Sequence, residues 1–372
     1  MFENKTPKAE NPRFLTEQII TYIGNKRKLL PYIDKEIENV YHYCGNKKLV
    51  SADIFSGSGI VSRLLKQRSK ELYVNDLELY SAIINRCYLS NYSDFNRTAY
   101  EKAFLFLQDK LNTEMVHGII TENYAPQNNQ MIQSGERVFY TVENAGIIDT
   151  LRINIEKINP ALKDYFLAPL LYQASVHVNT GGVFKGFYKN PQTGIGCFGG
   201  AGQHALKRIT KPICILKPVF SNYACETKIS QQDANTLIHS LPELDFLYID
   251  PPYNQHPYGS NYFMLNIIAE NKITAPLSRV SGIPNNWNRS GYNKRQSAPQ
   301  HLASLIAAAK AKCILVSYNS EGFIAFDDMK QLLETYGKVN IIRIPYTAYR
   351  ASRNLKNRNI HLHEYLFKLE KT

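Results

Sequence analysis

Lys48-Leu-Val-Ser-Ala-Asp-Ile-Phe-Ser-Gly-Ser-Gly59 is the stretch that decides the fold. Its first half is a short apolar run, a strand signal. Its second half is a glycine-rich turn that leads into a helical segment over 59–67. A strand that turns through glycines into a helix opens a parallel α/β sheet, in which ligands sit at the carboxyl ends of the strands near the switch point. Gly57 and Gly59 let backbone approach a ligand closely.

Working outward, further strand signals fall at 71–76, 226–233, 244–250, 312–318, 339–344 and 364–369. Helical segments at 302–310 and 327–336 separate several of them. Strands alternating with helices indicate a mostly parallel sheet covered on both faces. The last two strands are joined by a loop with no crossover helix, so that pair is expected to be antiparallel. Residues 95–203 interrupt the rhythm: they are rich in Asn, Gln, Tyr and Gly, show no clean alternation, and read as a domain inserted between the second and third strands. Residues 1–15 are polar, contain proline, and are expected to be mobile. No internal repeat is present.

The second strand ends in Asp76, 23 residues beyond Asp53. That offset is near the ~20 residues at which an acid reaches ribose hydroxyls in nucleotide-binding folds. A nicotinamide dinucleotide site is the rival reading. It would want glycine at position 62, where Ser62 stands, and Asp53 would repel a pyrophosphate. A sulfonium cofactor with a free amino-acid end instead needs such a carboxylate to pair with its ammonium.

Asp250-Pro-Pro-Tyr253 follows the apolar strand Leu-Asp-Phe-Leu-Tyr-Ile. Each proline fixes φ and lacks an N–H, so the strand stops and the Pro251 carbonyl is free to face outward. The Asp250 carboxylate and the Pro251 carbonyl can accept the two hydrogens of an exocyclic amine, which aims its nitrogen lone pair at an incoming methyl group. Tyr253 offers an aromatic face to a base taken out of the duplex stack. With a cationic methyl donor, alignment carries much of the rate and no strong general base is required. The competing reading is a tight loop after a core strand.

Lys plus Arg outnumber Asp plus Glu by 44 to 32, a net charge of +12. Such an excess suits a polyanionic partner, because basic side chains displace counterions from phosphates. The six cysteines form no CxxC pair, which leaves no zinc ribbon or redox motif, and no disulfide framework is expected in a chain this long. The N-terminus lacks the apolar stretch of a signal peptide, and no run approaches ~18 apolar residues. A soluble, cytoplasmic protein without membrane association is expected.

These motifs resemble the DNA adenine-N6 methyltransferases of the α group, the D12 class. The resemblance covers about two-thirds of the chain and implies an S-adenosylmethionine-dependent enzyme of restriction-modification type. Such an enzyme methylates a flipped-out adenine in double-stranded DNA, with a cognate restriction endonuclease as a functional, not necessarily physical, partner. The implied fold is a Rossmann-like mixed seven-stranded sheet with its last strand antiparallel. Residues 1–94 and 204–372 would form the catalytic domain and 95–203 a target-recognition domain. Tyr22-Ile-Gly-Asn-Lys-Arg-Lys28 looks like the family's N-terminal motif, so by resemblance Tyr22, Gly24 and Lys26 line the cofactor. Asp53, Phe55, Gly57 and Gly59 match the glycine motif, Asp76 the ribose-binding acid, and Asp233 the acid near the cofactor's adenine. Asp250, Pro251, Pro252 and Tyr253 match the catalytic tetrapeptide. Residues 349–365 also look familial. Cytosine-N4 relatives more often carry Ser before Pro-Pro-Tyr, and protein-glutamine relatives Asn, so Asp250 favours adenine. The alternatives are an RNA-adenine or cytosine-N4 enzyme of the same fold, or a non-catalytic DNA-binding subunit.

Two basic, aromatic stretches are candidates for DNA contact. Residues 278–298 carry Arg279, Trp287, Arg289, Tyr292, Lys294 and Arg295, a pattern suited to phosphate contact and base stacking or to a solvated loop. Residues 180–189 mix glycines and aromatics with Lys185 and Lys189, which suits DNA reading or simple hairpin packing. His361 and His363 alternate, but two imidazoles without acidic or thiol partners make a poor metal site.

Overall fold

The computed structural model describes residues 9–200, 202–347 and 361–371. Its strands are β1 (Leu49–Asp53), β2 (Ser69–Asn75), β3 (Glu226–Ser230), β4 (Leu244–Ile249), β5 (Ala311–Asn319), β6 (Gly337–Thr347) and β7 (His361–Lys371). They form one sheet in the order β3-β2-β1-β4-β5-β7-β6. Strands β1 to β5 pair in parallel. Strand β7 slots between β5 and β6, antiparallel to both. This is the mixed seven-stranded α/β sheet that the strand signals and the missing last crossover lead one to expect.

The side-chain period of two divides the sheet residues between two cores. Phe246 and Tyr248 of β4, with Cys313 and Leu315 of β5, face α2 (Leu30–Tyr43) and α3 (Ile60–Lys66), α1 being Pro12–Thr16. Leu247, Ile249, Ile314 and Val316 face the opposite side. There they meet α10 (Ala234–Leu237), α13 (Ala298–Ala308) and α14 (Phe326–Glu334). In between along the chain come α4 (Leu79–Tyr88), α5 (Arg97–Thr113), α6 (Ile119–Tyr124), α7 (Val142–Ile155), α8 (Lys163–Val176), α9 (Leu206–Thr210), α11 (Tyr258–Asn261) and α12 (Phe263–Glu270).

Two features differ from the sequence expectation. Of residues 1–15, expected to be mobile, 1–8 lie outside the described residues, and 12–15 belong to a packed helix: Asn11 caps α1, Phe14 is fully buried, and the buried Arg63 guanidinium donates to the Phe14 carbonyl. The 95–203 stretch, which shows no periodicity in sequence, contains α5 to α8, and these pack with α4 and α12 around a third core. Helices α7 and α8 are buried nearly all round, so no polar stripe reveals their period. Pro169 inside α8 hides that helix further.

One buried acid anchors this helical layer. Asp149 of α7 accepts hydrogen bonds from the amides of Gly118, Ile120 and Thr121 at 2.8–2.9 Å and from the Thr121 hydroxyl at 2.7 Å. It thereby caps the start of α6, satisfying donors that a helix N-terminus leaves free. Asp149→Ala is expected to destabilise the protein by about 3 kcal/mol, since several buried donors lose a carboxylate acceptor at once. Urea unfolding measures this, and a loss below about 1 kcal/mol would refute the anchoring role.

Candidate active site

The sheet order reverses between β1 and β4, which places the carboxyl ends of these two strands side by side. Side chains at such a switch point face a crevice between diverging connections. Asp53 is the last residue of β1, and Asp250 follows β4 directly. An open cavity of about 860 Å³, solvent-filled mouth included, lies above them. Of the residues singled out from sequence, Tyr22, Gly24, Lys26, Asp53, Phe55, Gly57, Asp76, Asp233, Asp250 and Pro252 line it.

The glycine turn is built by its neighbours. Gly57 has φ +50 and Gly59 φ +70, the left-handed region that favours glycine. A Cβ at Gly59 would meet the Asn85 Oδ1 at 2.2 Å, so Gly59 stands behind the cavity wall and shapes it from there. The Asp76 carboxylate is occupied from within the turn: one oxygen accepts the Gly57 amide at 2.7 Å and the other the Glu78 amide at 2.9 Å. Asp233 likewise caps α10, accepting the amides of Asn235 and Thr236. The half-buried Tyr22 ring packs against both Tyr258 and Tyr262, with centroids 4.9 and 4.7 Å away, and those two rings also pack on each other at 6.0 Å.

Asp53 is 1% exposed, and its Oδ2 accepts the Ser62 hydroxyl at 2.6 Å. Its Oδ1 is buried and has no hydrogen-bond partner among the described residues. Burial pushes its carboxyl up to about 7, against the Ser62 hydrogen bond that favours the charged form. An acid in this state is a ready partner for a cationic ligand group at the cavity edge. The same Ser62 that breaks the dinucleotide pattern in sequence thus holds this acid in place.

Asp250 meets Lys26 across the cavity floor, Nζ to Oδ1 at 3.0 Å. Lys26 sits in the short turn Lys26–Leu29 and is 6% exposed. Burial works against its charge, but Asp250 and then Glu364 outweigh that and hold the ammonium firmly protonated. Burial lifts Asp250 to about 6, and Lys26 limits the rise. Pro251 is buried, and no hydrogen bond reaches its carbonyl from a described residue. Tyr253 is half-buried, its ring edge-on to Tyr318 at 6.3 Å, and its carbonyl accepts the Phe323 amide at 2.9 Å.

Several lining residues carry no sequence signal of their own. Glu78 is 3% exposed and pushed up to about 7 by burial. Its Oε2 accepts from Asn266 at 2.6 Å and from Asn288 at 3.1 Å. Tyr258, Gly259, Asn288 and Asn293 close the cavity from the segments after β4. The Asn293 side chain donates to the Asn254 carbonyl at 2.8 Å and ties that loop back to the Pro-Pro turn.

None of the basic candidates lines the cavity, although Arg289 and Lys294 are chain neighbours of the lining residues Asn288, Ser290 and Asn293. Lys185 is exposed and close enough to His256 to help burial lower that imidazole. Its carbonyl accepts the Ser281 hydroxyl at 2.5 Å, which joins the 181–200 hairpin to the 277–284 turn. Arg279, Arg289, Lys294 and Arg295 are exposed, and Lys189 lies over the Phe187 ring. Arg289 covers Trp287 at 4.2 Å and Arg295 stands over Phe323 at 5.1 Å. Tyr292 is not available for stacking: it is 2% exposed, with Phe55 packed edge-on against it. Among the described residues no group of His, Cys, Asp or Glu could hold a metal, no helix is long and apolar enough to cross a membrane, and all six cysteines are free. Residues 349–360 of the familial C-terminal stretch, and the His361 side chain, lie outside the described residues.

Residues 22–332 match the family model described as D12 class N6 adenine-specific DNA methyltransferase. The chain is 32% identical to the type II methyltransferase M.NlaIII of Neisseria lactamica, over 95% of this chain and 100% of that one. It is 28% identical to M.CviAII of Paramecium bursaria Chlorella virus 1, over 94% and 97%. Against M.FokI of Planomicrobium okeanokoites it is also 28% identical, over 94% of this chain and 52% of the relative. A solved structure from Thermoplasma acidophilum aligns at a TM-score of 0.32 and 8% identity, too distant to carry an argument.

The geometry makes a pH prediction. An acid that must accept an amine hydrogen works only when ionised, and Asp250 is raised to about 6. kcat/KM for the acceptor substrate, measured at saturating methyl donor, is therefore expected to fall as pH drops through about 6. Lys26→Met removes the cation that opposes the rise, so the acid limb should move to higher pH. A limb that stays in place in the variant would mean the pair does not set the charge of Asp250.

Proposed function

The chain belongs to the D12 class of N6 adenine-specific DNA methyltransferases, and we propose that it uses S-adenosylmethionine to methylate a flipped-out adenine within a specific duplex sequence, as the modification arm of a restriction-modification system. One observation carries the site assignment: Asp250 directly follows β4 at the switch point, with Oδ1 held by Lys26 at 3.0 Å and its side chain facing the cavity.

The cavity residues fit the cofactor. The orphaned Asp53 Oδ1 suits the ammonium of a methionine end, and Tyr22, Gly24, Phe55 and Gly57 shape the walls around it. A Cβ at Gly57 would come to 3.0 Å from the Tyr22 ring, so the bare backbone there lets Tyr22 pack against the turn and form the cavity wall. Asp76 would meet a ribose from its place behind the turn, Asp233 would stand at the adenine end, and Gly59 sets the turn. When bound, S-adenosylmethionine supplies a methyl group made electrophilic by a sulfonium.

The chain's own residues then act on the adenine. Tyr253 provides a face for the extruded base, and its contacts with Tyr318 and Phe323 hold that face still. Asp250 and the Pro251 carbonyl accept the two N6 hydrogens, while Pro252 fixes the turn. On methyl transfer the N6 lone pair would form the new N–CH3 bond, the donor sulfur would keep the electron pair of its broken S–CH3 bond as a neutral thioether, and the surplus N6 proton would pass to the Asp250 carboxylate. Preorganised acceptors and alignment supply the rate.

For DNA, Lys185, Lys189, Arg279, Arg289, Lys294 and Arg295 would hold phosphates around the cavity mouth. Residues 95–203 would act as the target-recognition region beside a catalytic unit of residues 1–94 and 204–372. Their helical part shares a core with α4 and α12, so this region is braced against helices that lie outside it in the chain. A restriction endonuclease that cuts the same sequence is the implied functional partner, and the cytoplasm is the place of action.

The test is expression in a host that lacks the modification, followed by single-molecule sequencing of its genomic DNA. Wild-type protein should leave N6-methyladenine at one recurring sequence, and Asp250→Ala should leave none. N4-methylcytosine, or full modification by Asp250→Ala, would overturn the reading.

A further inference from the structure

Asp250 is one of two acids that share Lys26. Glu364 comes from β7, and the antiparallel register places it opposite Asn319 of β5 on one side and Ile344 of β6 on the other. It is 7% exposed. Its Oε1 accepts the Asn319 amide at 2.8 Å, and Asn319 is 5% exposed. Its Oε2 has no hydrogen-bond partner among the described residues and stands 3.9 Å from the Lys26 Nζ. A buried carboxylate with one oxygen tethered and the other aimed at a buried ammonium is costly unless it does something for that ammonium.

We propose that Glu364, tethered by Asn319, is a positioning residue for methyl transfer: it holds the Lys26 ammonium from behind, so that Lys26 engages one oxygen of Asp250 and leaves the other for the target amine. The proposal rests on the reading of Asp250 as the acceptor for the adenine amine. A lysine chain has several free torsions, and one carboxylate contact does not fix its head. A second carboxylate, Glu364 at 3.9 Å beside Asp250 at 3.0 Å, restrains it further. Without Glu364 the ammonium is free to slide along the Asp250 carboxylate and cover both oxygens. The arrangement also links the far edge of the sheet to the reaction: a register slip of one residue in β7 would turn Glu364 to the other face.

Charge gives a readout that does not depend on turnover. The groups facing Asp250 are Lys26, Glu364 from β7, Asp53 from β1, and the phenols of Tyr248, Tyr253 and Tyr258. Glu364 raises Asp250, in addition to burial and against the effect of Lys26. Glu364→Gln keeps the shape and removes that charge, so the Asp250 titration should move down from about 6.

The experiment titrates the aspartate side-chain carboxyl carbons of the ligand-free protein by carbon-13 NMR, with the Asp250 signal identified by its loss in Asp250→Asn. The same variants are assayed for tritiated methyl transfer to DNA carrying the recognition sequence. Glu364→Gln should lower the Asp250 midpoint and reduce kcat between about 10- and 100-fold, with KM for cofactor and DNA unchanged. Glu364→Asp keeps the charge one methylene short, so its midpoint should stay near wild type while kcat still falls. An unmoved midpoint in Glu364→Gln, or unchanged kcat, overturns the proposal. If Glu364→Gln does not fold, Glu364→Asp decides by its kcat alone: a fall at constant KM supports the proposal and wild-type kcat overturns it. Failure of wild-type protein to methylate adenine would instead remove the underlying reading and leave the titration as a separate result.

Discussion

Lys26 is the cation on which the buried acids of the site depend. Asp250 is within 3.0 Å of it and Glu364 within 3.9 Å, and Asp53 lies close enough to feel the charge of Asp250. Among the described residues no other cation is paired with any of the three. Burying carboxylates without full compensation raises them towards protonation. Burial raises Asp53 to about 7 and Asp250 to about 6. The site is thus incomplete in charge, and a ligand that brings positive charge completes it. A cofactor with a sulfonium and an ammonium has this property. On the proposed reading, charge as well as shape would select the ligand.

The sheet makes this charge arrangement possible. Parallel pairing of β1 with β4 sets Asp53 beside Tyr248, two residues short of Asp250. Antiparallel insertion of β7 sets Glu364 beside Asn319. Four chain segments far apart in sequence therefore deliver their acids and their lysine to one end of the sheet. The helical layer of α5 to α8 contributes no charge to this cluster. It carries the chain to the hairpin at 181–200, where Lys185 approaches the loop after the Pro-Pro turn.

Much of this was legible in the residues. The glycine turn, Asp76, and the tetrapeptide at 250–253 located the cavity, because backbone freedom, strand termination and paired acceptors leave local marks. The absent crossover before β7 foretold an antiparallel strand. What was not legible depends on long-range packing. Helices buried on all sides have no stripe to read, so α7 and α8 vanished into an apparently irregular segment. Asn11 and Phe14 belong to a capped, buried helix near the N-terminus, but a short polar stretch with prolines gave no reason to expect it or a partner such as Arg63. Lys26 was placed at the cofactor by resemblance, and its bond to Asp250 could appear only once both were in space. The occupied oxygens of Asp76, the burial of Tyr292 and the approach of Glu364 are likewise facts of register and packing.

Proton linkage tests the charge argument most directly. Free Asp53 is raised to about 7, so at pH 6.5 it is mostly protonated, and pairing with a bound ammonium must ionise it. The measurement is isothermal titration of S-adenosylmethionine into wild-type protein and Asp53→Asn at pH 6.5, in two buffers of different ionisation enthalpy. The account predicts net proton release on binding to wild-type protein, with that release reduced or gone in Asp53→Asn and affinity weakened. Equal proton release by both proteins, or binding that is indifferent to the buffer, would contradict it.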